Sequence, residues 1–213
     1  MRGKMDYFIS DLHLSHRNII KYSSRPFEDE NEMNEHIIER WNEKITETDT
    51  VYVVGDAFFC SKETASDFMA TLEGDKILIR GNHDRWANDR YRSLGFREVH
   101  RSGLEYVLPD GRLALVSHYP RPDALLEKYD LQIHGHSHAT LKHEGKRINV
   151  SCEAWDYTPA SLKDISQLTL TPDENRFCHL NVDPDEKTLE INAKIKLQNL
   201  DGVIREIYQR TRR

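Results

Sequence analysis

Metal-ligand side chains recur in short blocks along this chain. Ser10-Asp11-Leu12-His13 comes first, then Gly55-Asp56, Gly81-Asn82-His83-Asp84, Ser117-His118 and His134-Gly135-His136-Ser137-His138. The candidate ligands are Asp11, His13, Asp56, Asn82, His118, His136 and His138. They offer imidazole and oxygen donors without thiolate, a mixture that suits Mn, Fe, Zn or Ni rather than a structural zinc site. A carboxylate such as Asp56 can bridge two cations, and a pair ~3.5–4 Å apart can clamp both the attacking and the leaving oxygen of a phosphoryl transfer. In Asp11-x-His13 and His136-x-His138, an extended backbone would aim both side chains the same way. The glycines at 55, 81 and 135 let the backbone turn tightly or approach a metal.

Each block follows an apolar run: Tyr7-Phe8-Ile9, Val51-Tyr52-Val53-Val54, Ile77-Leu78-Ile79, Leu113-Ala114-Leu115-Val116 and Leu131-Gln132-Ile133. Such short, mostly apolar runs read as strands buried on both faces. In an open α/β sheet the carboxyl ends of the strands share one edge, where ligands bind, so residues distant in sequence converge there. Helices fill the intervals. Met33, Ile37, Ile38, Trp41 and Ile45 form one apolar stripe over residues 31–45. Ala65, Phe68, Met69 and Leu72 do the same over 61–72, with Ser61 as N-cap and Gly74 as stop. Pro109-Asp110-Gly111 between two apolar runs predicts a hairpin. The fold class is therefore α/β, layered in the α+β manner, with sheets that are not purely parallel. Residues 1–174 are read as the core. Residues 175–213 are read as a C-terminal extension packed on it, too short to count on a core of its own.

Composition narrows the classes. The 213 residues carry 30 Lys+Arg against 36 Asp+Glu, a net charge of −6, so no chain-wide basic footprint for nucleic acid exists. No segment has the apolar length of a membrane span, and the N-terminus lacks a signal-peptide core. Cys60, Cys152 and Cys178 are odd in number and widely spaced, which argues against a disulfide framework and makes the cytoplasm the expected compartment.

These blocks in this order resemble the calcineurin-like metallophosphoesterase superfamily, whose pattern is Asp-x-His, Gly-Asp, Gly-Asn-His-(Asp/Glu), an isolated His and Gly-His-x-His. The resemblance spans residues 11 to 138. It implies a β-sandwich of mixed sheets flanked by helices and two divalent metal ions, Mn ahead of Fe, Zn or Ni. Asp11, His13 and His138 would hold one metal and Asn82, His118 and His136 the other, with Asp56 bridging. His83 would stand beside the substrate oxygens, oriented by Asp84. Gly55-Asp56 continues as Ala57-Phe58-Phe59-Cys60, without the Asp-Arg-Gly of the Ser/Thr protein phosphatases, and the chain is short. It is closer to the small bacterial and phage phosphoesterases, one branch of which also shows features similar to Arg25-Pro26-Phe27 and Trp155.

The function implied is hydrolysis of phosphomonoesters or phosphodiesters by a metal-activated hydroxide, with small-molecule or nucleotide esters as substrates. A nuclease is the alternative within the same chemistry; Lys142, His143, Lys146 and Arg147 would line its groove. A non-catalytic metal-binding scaffold for protein partners is the alternative of another class, disfavoured because no ligand is missing and His83 is kept. Arg17 and Arg121 are weaker candidates for phosphate contact beside Asn82, since Arg binds phosphate bidentately but also begins ordinary loops and helices. No membrane partner is expected, and the sequence sets no oligomeric state.

Overall fold

The structure, a computed structural model, describes residues 3–138 and 141–169. The extension expected over 175–213 lies outside them, as does Cys178.

Two five-stranded sheets form the frame. In the first, β1 (Asp6–Ile9), β2 (Thr50–Val53), β3 (Asp75–Ile79) and β4 (Phe96–His100) run parallel, and β10 (Ala160–Ser161) pairs antiparallel with β1. The second has the order β5 (Leu104–Val107), β6 (Leu113–Val116), β7 (Leu131–His134), β9 (Arg147–Asn149) and β8 (His143–Glu144). Its β6, β7 and β9 are parallel, whereas β5 and β8 pair antiparallel at the edges. The chain is thus an α/β fold of mixed sheets flanked by helices, and the hairpin about Pro109-Asp110-Gly111 is present.

Alternation along the strands creates two cores. Phe8, Ile77 and Ile79 point into one cluster with Ala114, Val116, Leu131, Ile133 and Ile148, which joins the sheets face to face. Tyr7, Ile9, Val51, Val53 and Leu78 point the other way, toward the helices. There they meet Met33, Ile37 and Trp41 of α2 (Glu30–Asn42), after the short α1 (Arg17–Tyr22), and Ala65 and Met69 of α3 (Lys62–Thr71). Buried faces on both sides explain why the strands read as continuous apolar runs. The Ser61 hydroxyl caps α3, accepting from the Thr64 amide at 3.2 Å. The second helix starts one residue earlier than its apolar stripe suggests, because the Asp29 carboxylate caps it by accepting from the Asn31 and Glu32 amides. It ends at Asn42, short of Ile45, although Ile45 stays buried in the same core. Two helices complete the described fold, α4 (Asn88–Arg92) and α5 (Leu162–Thr169). Among the described residues no helix is long and apolar enough to cross a membrane.

Ile133 is fully buried between the sheets and directly precedes the His134-to-His138 block. Ile133→Ala should cost ~2–5 kcal/mol of stability, read by urea denaturation. A loss well below that would show that the two sheets do not depend on this contact.

Candidate metal centre

Strand ends place the blocks together, but not on extended backbone. Asp11, His13, Asp56, His136 and His138 all have left-handed φ, between 46° and 68°. This corrects the expectation that Asp11-x-His13 and His136-x-His138 are extended. Asp and His tolerate this region better than most residues, and such strain persists only where surroundings enforce it. Backbone bonds between the blocks enforce it here. The Asp11 amide donates to the Gly55 carbonyl at 3.0 Å, and the His13 amide donates to the Asp56 carbonyl at 2.9 Å. The His83 amide donates to Asp56 Oδ1 and the His136 amide to Asp11 Oδ2, both at 2.8 Å. Two glycines are required for this closeness. A Cβ at Gly81 would overlap Asp56 Oδ1, and one at Gly135 would overlap Ser10 Oγ and lie 2.6 Å from Asp11 Oδ2.

Two ligand clusters result. Donor atoms of Asp11, His13 and His138 lie within 4.8 Å of one another, and so do those of Asp11, Asp56 and His118. Asp56 Oδ2, in the second cluster, lies 3.6 Å from His13 Nε2 of the first and 3.5 Å from His118 Nε2. His118 donates Nδ1–H to the Val54 carbonyl at 2.9 Å, so its Nε2 faces inward, 3.0 Å from Asn82 Oδ1. The His136 ring is 5.0 Å from that of His118, and the His83 ring is 5.2 Å from that of His13. Asp11 Oδ1, His13 Nε2 and His83 Nδ1 are buried without a hydrogen-bond partner among the described residues. An unspent carboxylate oxygen and an unspent imidazole nitrogen in one buried cluster are what a divalent cation uses, so the donor set fits such ions.

At Asp11 and His13 the electrostatics agree with that fit. Burial opposes the Asp11 charge, yet His138, His118, His13 and the Ser10 hydroxyl hold its carboxyl well below the usual range. Burial pushes Asp56 up instead, with Asp11 and Asp84 adding repulsion against the attraction of His118. Burial also drives His13 down to about 2, which keeps its imidazole neutral, as a ligand must be.

Among the described residues the Asp84 carboxylate is hydrogen-bonded to backbone amides and not to the His83 ring. Its Oδ2 accepts from the Asp56 amide at 2.7 Å and from the Gly81 amide at 2.8 Å, and Oδ1 accepts from the Ala57 amide at 3.3 Å. The carboxylate turns inward because these loop amides need an acceptor, and it ties two ligand loops together. Among the described residues no hydrogen bond or ion pair joins the Arg17 or Arg121 side chain to a ligand residue. The Arg17 side chain is 77% exposed and lies 3.7 Å from Glu30, while the Arg121 amide and carbonyl serve Gln132 and Arg147. The basic group expected to line a nuclease groove is engaged as well. Lys142 lies over the Trp155 ring at 4.4 Å, Lys146 donates to the Tyr129 carbonyl at 2.8 Å, and Arg147 pairs with Asp123. His143 Nε2 contacts the Gly145 carbonyl.

Several contributors carry no motif. Glu153 Oε1 accepts from His138 Nδ1 at 2.7 Å, which turns His138 Nε2 toward Asp11 Oδ1 at 3.6 Å. Against burial, Glu153 and Asp11 hold His138 up at about 9. The same Glu153 oxygen accepts from Arg25, whose Nη2 also donates to the Asp11 carbonyl at 2.6 Å and Nη1 to the Leu12 carbonyl at 3.0 Å. Ser151 Oγ donates to Asp11 Oδ2 at 2.9 Å. His16 Nδ1 lies 3.2 Å from His13 Nδ1, and its ring stacks on Phe59. In the sequence Arg25 is marked only by the resemblance, and Glu153 by nothing.

The sequence pattern of the calcineurin-like phosphoesterase superfamily domain matches residues 7–152. The chain belongs to that superfamily. An uncharacterized protein, MJ1445, of Methanocaldococcus jannaschii is 34% identical over 171 residues, covering 76% of this chain and 89% of that one. The gene 66 protein of Mycobacterium phage D29 is 26% identical over 179 residues, covering 70% and 88%. Among solved structures, the protein of unknown function AQ665 from Aquifex aeolicus superposes with a TM-score of 0.64 at 28% identity, covering 78% of this chain and all of that one. Superfamily membership supplies divalent metals as the expected occupants of the clusters.

Arg25 and Glu153 are a buried pair, with side chains 0% and 6% exposed. Glu153→Gln keeps the shape but leaves the guanidinium without its counter-charge, so it should cost ~3–5 kcal/mol in chemical denaturation. Unchanged stability would show that the carbonyl and thioether contacts of Arg25 suffice without Glu153.

Proposed function

We propose that this superfamily member is a dinuclear metal-dependent phosphoesterase that hydrolyses phosphomonoesters or phosphodiesters. The observation that carries the reading is the pair of clusters sharing Asp11, with Asp56 Oδ2 between His13 and His118. Asp11, His13 and His138 would hold one cation, and Asn82, His118 and His136 the other, with Asp56 between them. Divalent cations held there, Mn first among the candidates, would supply Lewis-acid activation of water and of the phosphate oxygens.

The chain's own groups do the rest. The imidazoles face the cluster through fixed nitrogens, because the Val54 carbonyl and Glu153 take the opposite nitrogens of His118 and His138. Asp84 holds the Asp56 and Gly81 loops in register, so the ligands need not reorganise during turnover. His83 would donate a proton to a leaving oxygen or neutralise charge on the non-bridging ones, a reading supported by its ring beside His13 and its unspent Nδ1. Burial lowers its basicity, which makes its protonated form a stronger acid and a scarcer one near neutral pH.

Hydrolysis of bis-p-nitrophenyl and p-nitrophenyl phosphate, screened with Mn²⁺, Fe²⁺, Zn²⁺ and Ni²⁺, tests the reading; no metal-dependent turnover of any ester would refute it. Asp56→Asn keeps the shape and removes the charge between His13 and His118. It should abolish activity with circular dichroism unchanged, and retention of more than about a tenth of the wild-type rate would exclude the bridging role. His83→Asn separates the two roles of His83. A general acid is worth ~10²–10⁴-fold and matters most for a poor leaving group, so a methyl ester or dinucleotide should slow far more than an aryl ester. Equal losses on both would leave His83 as an electrostatic stabiliser.

A further inference from the structure

An open cleft of about 560 Å³ adjoins the metal centre, lined by Arg80, Gly81, Arg85, Trp86, Ala87 and Arg101. Gly81 belongs to both places, since it packs too closely on Asp56 to carry a Cβ and also lines the cleft. The Arg85 amide donates to the His83 carbonyl at 2.9 Å, so the cleft wall is mounted on the same loop as the proposed proton donor.

Charge sets the cleft apart. Arg80 is a fixed wall, donating to the Asp84 carbonyl at 3.0 Å and to Asn88 Oδ1 at 3.1 Å. Neither partner is a carboxylate, so its charge is not neutralised. Arg85 and Arg101 are exposed, and among the described residues neither side chain has a hydrogen-bond or ion-pair partner. Neighbouring acids are committed elsewhere: Asp89 to Arg92 at 2.7 Å, and Glu98 to His100 at 3.1 Å and Arg97 at 3.6 Å. In a chain of net charge −6, three uncompensated guanidinium groups in one cleft make a local anion-attracting field. Guanidinium is also the side chain best shaped for phosphate.

Aromatic faces accompany the cations. Phe59 is 49% exposed, stacked on His16 with centroids 3.9 Å apart and lying 5.8 Å from the His83 ring. Tyr119 is 40% exposed, with its ring 4.5 Å from His136. Exposed aromatic rings and free cations around one centre are what single-stranded nucleic acid uses, with backbone phosphates on the cations and bases on the rings. We propose that the substrate is a single-stranded polynucleotide whose phosphate next to the scissile one seats on Arg85 and Arg101. This rests on the phosphoesterase reading for the identity of the scissile group. Inorganic pyrophosphate and nucleoside polyphosphates share the phosphate chemistry, but they bring at most one base to the rings of Phe59 and Tyr119.

The test is fluorescence anisotropy of the Mn²⁺-loaded protein with a short labelled phosphorothioate oligothymidine, over a range of salt. Arg85→Ala with Arg101→Ala should weaken binding roughly tenfold and lower the salt slope by about 0.7 for each phosphate no longer neutralised. Arg97→Ala with Lys128→Ala removes equal charge elsewhere and should leave both unchanged. Equal effects in the two double variants, or none in the first, would overturn the proposal. So would pyrophosphate binding that weakens by the same factor as the strand, which would make the cleft a general polyphosphate site. Binding is read without turnover, so a wild type that hydrolyses no ester defeats the phosphoesterase reading while this comparison still returns its answer.

Discussion

Two carboxylates, Asp11 and Asp56, are buried side by side among imidazoles, and much of the surrounding architecture serves that fact. Both are at most 2% exposed. Charge without solvent costs several kcal/mol unless it is paired and hydrogen-bonded. Asp11 meets the condition through histidines, a serine hydroxyl and the His136 amide; Asp56 meets it less well, and its carboxyl is pushed up by burial and by its acidic neighbours. Divalent cations, which the superfamily implies, would relieve such crowding. The left-handed turns follow from the same demand, because only a sharply reversing backbone can bring the carboxylates of Asp11 and Asp56 and the amides of His83 and His136 to one point.

Support extends behind the centre as a chain of contacts. Arg25 is clamped to the Asp11 and Leu12 carbonyls and to Glu153, and Glu153 fixes the ring of His138. One buried ion pair thus ties the turn after β1 to the loop after β7, elements that lie in different sheets. Asp84 performs the matching task between the loops after β2 and β3. A buried ion pair is weak evidence for stability by itself. Its value here is geometric, since it sets which nitrogen of His138 faces the cluster.

The ligand blocks and the strands before them were legible because both signals are local: an apolar run buried on two faces, then ligand-type residues at its carboxyl end. The Ser61 cap and the hairpin were legible for the same reason. The backbone at Asp11-x-His13 was not, because spacing alone carries no sign of φ, and extended geometry is only the default for residues after a strand. Adjacency is misleading for Asp84. It neighbours His83 in sequence, yet its carboxylate answers the demand of three loop amides. Glu153 and Ser151 stayed hidden because they follow the short β9 in a segment with no periodicity, and the Arg25 and Asp11 groups they meet are more than a hundred residues away. The two-residue strands β8 and β10 lack the length to show alternation at all.

The whole arrangement turns on whether the two clusters hold two ions that share a carboxylate. Manganese titration of chelator-stripped protein, followed by electron paramagnetic resonance, reads this directly. Two equivalents should bind per chain, with an exchange-coupled spectrum from neighbouring Mn²⁺ ions ~3.5–4 Å apart. Uptake of a single equivalent with the six-line signal of isolated Mn²⁺, or none, would contradict it.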